Sequence, residues 1–138
     1  MKTTYTIYRH NGRSERGECD LATQPTYSKI TALIEPILAA EFNQAGKVAA
    51  RMGVAAAQFK VFPEHVRVIR SVDEPYRNGE EYLDMFVDET GHAKDLPRNE
   101  AATAIYRANW LRQHPGTDPE SLPFIAGPAV LFDRRVWF

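Results

Sequence analysis

Long apolar runs and paired cysteines are missing from this sequence, and each absence removes a class of protein. No apolar run approaches the ~18 residues of a membrane-spanning helix. The opening residues, MKTTYTIYRHNGRSERGE, lack the apolar region of a secretory signal. A single cysteine, Cys19, cannot form an internal disulfide, so nothing indicates an oxidising compartment. We therefore expect a cytoplasmic protein without a membrane span.

Motifs for cofactors and catalysis are also missing. Neither GxGxxG nor GxxxxGK[ST] occurs, so we expect no nucleotide cofactor. The G-x-S-x-G, HExxH and CxxC patterns are absent too, so no catalytic residue and no metal site is predicted. A meeting of Cys19 with His10 or His92 in the folded protein is left open. Taken together, the missing motifs favour a protein that is not an enzyme.

Charge is nearly balanced over the chain but uneven along it. The 138 residues carry 17 basic and 18 acidic side chains, whereas residues 73–95 carry eight acidic and two basic ones. This acidic stretch is typical of a solvated sheet edge, and it could also attract a cation or a basic partner. A net charge of −1 argues against nucleic-acid binding, which usually needs a basic patch.

Alternating and helical patterns predict the secondary structure. Strands are predicted at 3–9, 16–21 at an edge, 65–72, 82–88 and centrally at 129–132, which 133–138 could extend. On 82–88, residues 83, 85 and 87 form a core face, and the opposite face is mixed. Asn-Gly pairs at 11–12 and 78–79 indicate chain reversals, and 88–91 matches a type I turn.

Three helical segments complete the prediction. Thr26 is the candidate N-cap of the first, where Pro36 predicts a kink or a break. The second covers 45–59. The third has Asn99 as its preferred N-cap, with a start at Pro97 as the alternative, and it ends at 114–116. Together these elements predict one α+β domain over 1–138, with a mixed or antiparallel sheet of about four to six strands covered by two or three helices.

The third helix carries the clearest candidate surface. One side is a stripe of small and apolar residues suited to packing on the sheet. Another side carries Thr103, Tyr106, Arg107 and Trp110 at three- and four-residue steps. Aromatic and arginine side chains are enriched at protein interfaces, although large aromatics in a small domain are more often core. These four residues are the predicted partner-binding surface.

An acidic site is the competing interpretation. Asp84 and Asp88 share a strand face but lie about 13 Å apart along it, so one ion cannot bridge them directly. Asp88, Glu89 and His92 are closer in sequence, yet match no known metal-ligand spacing. A hydrolytic or metal-dependent enzyme with a site near Asp84 and Asp88 is nevertheless kept as the alternative, because acidic residues are concentrated in this stretch.

Residues 85–132 contain three strings in a suggestive order: MFVDETG, LPRNEAATAIYRANW and PFIAGPAVLF. This order resembles a family of small bacterial and phage- or plasmid-borne proteins classed as a domain of unknown function. In that family a strand ends in an acidic turn and glycine, Leu-Pro-x-Asn opens a helix, and an Ile-x-Gly strand ends the domain. The resemblance implies an accessory protein of mobile-element type and supplies no catalytic residues.

These observations favour a non-enzymatic accessory protein that binds another macromolecule. A protein partner is expected, nucleic acid is weakly supported, no membrane contact is expected, and homo-oligomerisation is left open.

Overall fold

A computed structural model describes residues 1–9, 12–51, 63–69, 82–89 and 96–138 of the protein. Within these ranges the structure has five strands, two α-helices and one 3-10 turn. In chain order they are β1 (Lys2–Tyr8), β2 (Ser14–Asp20), α1 (Tyr27–Arg51), β3 (Pro63–Ile69), β4 (Tyr82–Asp88), α2 (Glu100–Gln113), the 3-10 turn (Pro119–Ser121) and β5 (Ala129–Phe132). The predicted α+β class is confirmed.

All five strands form one antiparallel sheet in the order β2-β1-β5-β4-β3. Two hairpins, β1-β2 and β3-β4, make up its two ends. The last strand, β5, lies between β1 and β4, and it pairs with both. The predictions that the second strand is an edge and that the last is central are both confirmed.

The two helices cover opposite faces of the sheet. Helix α1 buries Ile30, Ile34 and Leu38 against one face, while α2 buries Ala102 against the other. Alternate residues of β4 therefore enter two different core clusters, with Phe86 facing α1 and Met85 facing α2. The β4 face predicted to be mixed is instead buried at Asp84, Phe86 and Asp88.

Helix α1 runs without interruption through Pro36, so of the two predicted alternatives, a kink or a break, the break does not occur. A proline inside a helix removes one backbone hydrogen bond and costs ~3 kcal/mol or more. Pro36 is exposed, whereas Ile34 and Leu38 on either side of it are fully buried. Burial of this face, worth roughly 1.5–3 kcal/mol per large side chain, is sufficient to offset the loss.

Side chains cap both helices as the sequence predicts. The backbone N–H of Lys29 donates to Oγ1 of Thr26 at 3.3 Å. Likewise, the N–H of Ala102 donates to Oδ1 of Asn99 at 3.1 Å. Asn99 is fully buried, and its Nδ2 donates to the carbonyls of Tyr8 (2.8 Å) and Gly127 (2.9 Å). One side chain thereby starts α2 and fastens it to the sheet.

The segment after β5 is not the strand extension that the sequence left open. Residues 133–138 turn back along the α1 face, where Val136 is buried in the core. Arg134 secures this turn, because its guanidinium donates to the carbonyls of Ala22 (2.8 Å) and Thr23 (3.0 Å).

Strand β3 covers 63–69, whereas 65–72 was predicted, and residues 70–72 lie outside the described residues. The helix predicted at 45–59 does not begin as a separate element, because α1 continues to Arg51, and residues 52–59 are not described. The turns predicted at 78–79 and 88–91 also lie outside the described residues, wholly or in part. No helix within the described ranges is long and apolar enough to cross a membrane.

Candidate functional site

The flank of α2 that carries the predicted surface is partly covered by the chain itself. Residues 119–126 run alongside it on their way to β5. Thr103 is 2% exposed, and its Oγ1 accepts a hydrogen bond from the backbone N–H of Ile125 at 2.9 Å. Thr103 is therefore enclosed, and the prediction that it belongs to an exposed surface needs correction.

Arg107 is engaged with the same covering segment. Its Nη2 donates to the carbonyl of Leu122 at 3.1 Å, and its Nη1 lies 3.5 Å from the carboxylate of Glu120. Only 14% of the side chain is exposed. The guanidinium thus holds the 119–126 segment against α2, a role that the helical spacing alone could not indicate.

Tyr106 and Trp110 remain accessible on this flank. Tyr106 is half-buried, whereas Trp110 is 38% exposed and is one of the large apolar side chains that the described residues leave on the surface. The Trp110 ring lies over His114, with ring centroids 4.3 Å apart and planes inclined by 31°. The accessible surface is therefore Tyr106, Trp110 and His114, which we call the α2 aromatic surface.

A cavity of about 200 Å³ opens next to Tyr106, between α2, the β3-β4 hairpin and the segment before β5. Its walls are apolar and aromatic, from Val66, Val87, Phe124 and Ile125. Two exposed carboxylates, Glu64 and Glu89, also line it, and so does the buried Asp88. An apolar cavity with acidic groups suits a long cationic side chain, whose stem is apolar and whose head is charged.

A second constellation lies on the α1 face, at the same hairpin. Nε2 of His65 lies 2.5 Å from Oδ1 of Asp84, which is 1% exposed. Oδ2 of Asp84 accepts the backbone N–H groups of Val136 (2.7 Å) and Trp137 (2.9 Å). The His65 ring stacks on Trp137, with centroids 4.9 Å apart and planes inclined by 14°.

The environment of Asp84 favours its charged form. Burial alone raises the pKa of Asp84, but the hydrogen bonds from His65 and from the Trp137 and Val136 amides outweigh burial, so its pKa lies below the ordinary value. Both carboxylate oxygens are therefore occupied in fastening the C-terminal turn. This accounts for a buried acid on a strand without invoking catalysis.

The acidic alternative finds little support in the described ranges. No group of three or more His, Cys, Asp or Glu that could hold a metal ion occurs there. Asp84 and Asp88 lie on one strand, as predicted, but Asp84 is engaged with His65 and the C-terminal turn. Of the other two residues of this alternative, Glu89 is exposed and His92 lies outside the described residues.

Cys19 is a half-buried packing residue on β2. Burial raises the pKa of its thiol, which reduces the thiolate fraction that a nucleophile requires. His10 and His92, the two histidines whose meeting with Cys19 was left open, lie outside the described residues.

The contribution of Glu64 to a site was missed by the sequence reasoning. Glu64 precedes a predicted strand and has no motif around it, and only the register of the β3-β4 hairpin sets it opposite Val87. The acidic excess over 73–95 was the one signal pointing to this end of the molecule.

Comparison with known proteins gives no identification: no family model matches the chain, and no curated protein and no solved structure is significantly similar to it. The resemblance of residues 85–132 to a family of unknown function therefore stays a prediction.

Proposed function

We propose that this protein is a non-enzymatic binding module that recognises a protein partner through a lysine or arginine side chain. The cavity beside Tyr106 receives that side chain, and Trp110 packs against the neighbouring part of the partner. The observation that carries this proposal is the combination of an apolar cavity with the carboxylates of Glu64 and Glu89.

The size of the cavity favours a side chain over a cofactor. Small-molecule sites usually occupy ≈300–1,000 Å³, whereas this cavity is about 200 Å³. An engineered protein cavity of ~150 Å³ accepts a ring as large as benzene. One long side chain is therefore the best match for the volume.

The charge of the cavity determines which side chain fits. Glu64 and Glu89 supply negative charge, while Val66, Val87 and Ile125 supply apolar contact. A lysine or arginine stem can pack on these walls while its cationic head approaches a carboxylate. Nucleic acid is disfavoured, because phosphates would be repelled by the same groups.

Trp110 and His114 extend the contact beyond the cavity. Tyr106 and Trp110 lie one helical turn apart, so a segment anchored beside Tyr106 can cover Trp110 as well. Exposed tryptophan is among the side chains that contribute most at interfaces. A cytoplasmic location and an accessory, mobile-element role are retained as parts of the same proposal.

Charge reversal at the cavity tests the proposal. A photo-crosslinking residue at position 110, introduced in cells, would capture the partner covalently. We expect Glu64→Lys and Glu89→Lys to reduce the crosslinked yield at least tenfold, because each would repel a cationic side chain. Glu35→Lys, at an exposed carboxylate on α1, is the matched control and should leave the yield unchanged.

A synthetic array then identifies the recognised group. Ten-residue peptides containing one central lysine or arginine should bind more tightly than the same peptides with norleucine, which keeps the apolar stem without the charge. Equal binding of the lysine and norleucine peptides, or equal crosslinking by all three charge variants, would refute the proposal.

A further inference from the structure

No strand in the described part of the chain pairs with the outer edge of β2, and the charges along β2 are self-complementary. Among the strands that the structure describes, β2 has a neighbour on one side only. Its seven residues, SERGECD, pair with β1 along their whole length. The main sheet contacts of α1 fall on β3, β4 and β5, and those of α2 fall on β3, so both helices are centred away from this edge strand. An open edge of this length is a template for another strand.

The hydrogen-bond pattern identifies which backbone groups face outward. The N–H of Arg9 donates to the carbonyl of Arg13 at 2.9 Å, at one end of the hairpin. At the other end, the N–H of Leu21 donates to the carbonyl of Met1 at 3.0 Å. Hydrogen-bonded and non-bonded residue pairs alternate along an antiparallel ladder. The odd-numbered residues of β2 therefore bond to β1, and the even-numbered residues present their N–H and C=O groups to the outer edge.

The neighbouring strand supports this assignment independently. The N–H of Asp133 donates to the carbonyl of Thr4 at 3.0 Å. Thr4 is an even-numbered residue of β1 and faces Glu18. Its carbonyl thus points away from β2 and toward β5, as the alternation requires.

We propose that β2 pairs with β2 of a second copy of this chain, in antiparallel orientation about a two-fold axis at Gly17. This register lets all seven residues overlap, and it brings every outward-facing residue opposite another one. Arg16 then lies opposite the second copy's Glu18, and Ser14 lies opposite its Asp20. Each of these pairs occurs twice, so the two strands exchange about eight backbone hydrogen bonds.

Charge complementarity selects a second copy over an arbitrary strand. In the two-fold register, each Arg16, which also pairs with Asp133 of its own chain, meets a Glu18 across the interface on the same face of the sheet. A shift that centres the axis on Arg16 would oppose two arginines, and one that centres it on Glu18 would oppose two glutamates. Only the register centred on Gly17 removes both repulsions and retains the full overlap.

Gly17 also removes an obstacle at the centre of this register. The two residues on the axis form a non-bonded pair, in which Cα atoms approach to ≈4.5 Å. Gly17 has no side chain to fill that space, and the ring of Tyr5 lies so close that an added Cβ would be 2.4 Å from it. The two Gly17 residues can therefore approach closely at the two-fold axis, and the Tyr5 ring covers each of them on one face of the sheet.

The resulting dimer would contain one continuous ten-stranded sheet. This inference does not depend on the proposed function, since the cavity is beside β3, at the opposite end of the sheet from β2.

Backbone blocking gives the first test, by sedimentation over a range of concentrations. We expect the wild-type mass to rise with concentration toward twice 15.7 kDa. Glu18→Pro removes an outward N–H and no bond to β1, so this variant should remain monomeric. Glu18→Ala loses the same side chain and its contact with Lys2 at 2.7 Å but keeps the N–H, so it should still dimerise.

Charge reversal gives the second test and identifies the register. Across the interface, Arg16→Glu and Glu18→Arg each create two like-charge pairs, so each variant should be monomeric. Arg16→Glu also removes the contact of Arg16 with Asp133 of its own chain. An equimolar mixture should dimerise again, because positions 16 and 18 are both acidic in the first variant and both basic in the second. Each replaced side chain then meets an opposite charge across the interface. Circular dichroism must show that every variant is folded.

Three outcomes would overturn the proposal: a wild-type protein that stays monomeric, a Glu18→Pro variant that dimerises like wild type, or a mixture that shows no recovery. The first would leave the edge to an extended segment of another protein. A failure of the lysine-peptide experiment would not alter any of these results.

Discussion

Two tryptophans in this molecule each contact a histidine ring, and the two pairs have opposite relations to the fold. Trp137 stacks on His65, which also contacts the buried carboxylate of Asp84. Trp110 lies over His114 at the exposed end of α2, with the two ring planes inclined by 31°. The same ring pair is fastened by a carboxylate and two backbone amides in one place and left accessible in the other. Contact between a tryptophan ring and a histidine ring therefore does not by itself distinguish an aromatic side chain that stabilises the fold from one that is available for binding.

Of the changes considered, removal of the Asp84 carboxylate beside the Trp137–His65 pair should lower the free energy of unfolding the most. Asp84→Ala leaves two amides and His65 without their acceptor, so we expect a loss of about 3 kcal/mol in the free energy of unfolding. Urea denaturation measures this loss. Glu64→Ala, one residue before His65 and exposed, is the control and should change stability by no more than about 0.5 kcal/mol. A loss below about 1 kcal/mol for Asp84→Ala would contradict this account of the C-terminal turn.

Replacing each tryptophan with alanine compares the two tryptophan–histidine pairs directly. Trp137→Ala should destabilise the protein by about 2 kcal/mol, less than for a fully buried tryptophan because the ring is half-buried. Trp110→Ala should cost about 0.5 kcal/mol or less, since its ring is 38% exposed. Thermal or urea unfolding of the two variants provides the measurement. Equal losses would show that exposure does not separate the two pairs.

The pH dependence of stability sharpens the comparison with a smaller effect. A carboxylate whose pKa is lowered by folding stabilises the protein above its unfolded pKa of about 3.9, and this contribution is lost as the pH falls through the folded value. The pKa of Asp84 is lowered. The stability difference between wild type and Asp84→Asn should therefore be about 1 kcal/mol or more at neutral pH and shrink below about pH 4. A difference that is constant with pH would remove the charge of Asp84 from the explanation.

Local signals in the sequence were sufficient for the elements and their caps. Asn99 accepts a hydrogen bond from the amide three residues after it, so its role as N-cap could be predicted without knowledge of the fold. Strand β4 was predicted with its observed limits because both its faces alternate within seven residues. Pro36 is the exception, where burial of α1 against the sheet overrides a local rule.

Long-range packing decides the parts that sequence reasoning missed. His65 and Asp84 are 19 residues apart and meet only through the register of a hairpin. Thr103 and Arg107 share the spacing of Tyr106 and Trp110, but the segment returning to β5 covers them. No periodicity in α2 contains that information, since the covering residues come from elsewhere in the chain.

The central place of β5 has a consequence for how the molecule is made. The hairpin of β1 and β2 and the hairpin of β3 and β4 pair with each other only through Ala129–Phe132, the last of these strands to be synthesised. Until the ribosome has passed Phe132, each hairpin exposes the edge that β5 later fills, and each is a candidate for pairing with the wrong strand. The full sheet can therefore be completed only after Ala129–Phe132 have been synthesised, because these four residues join the two hairpins.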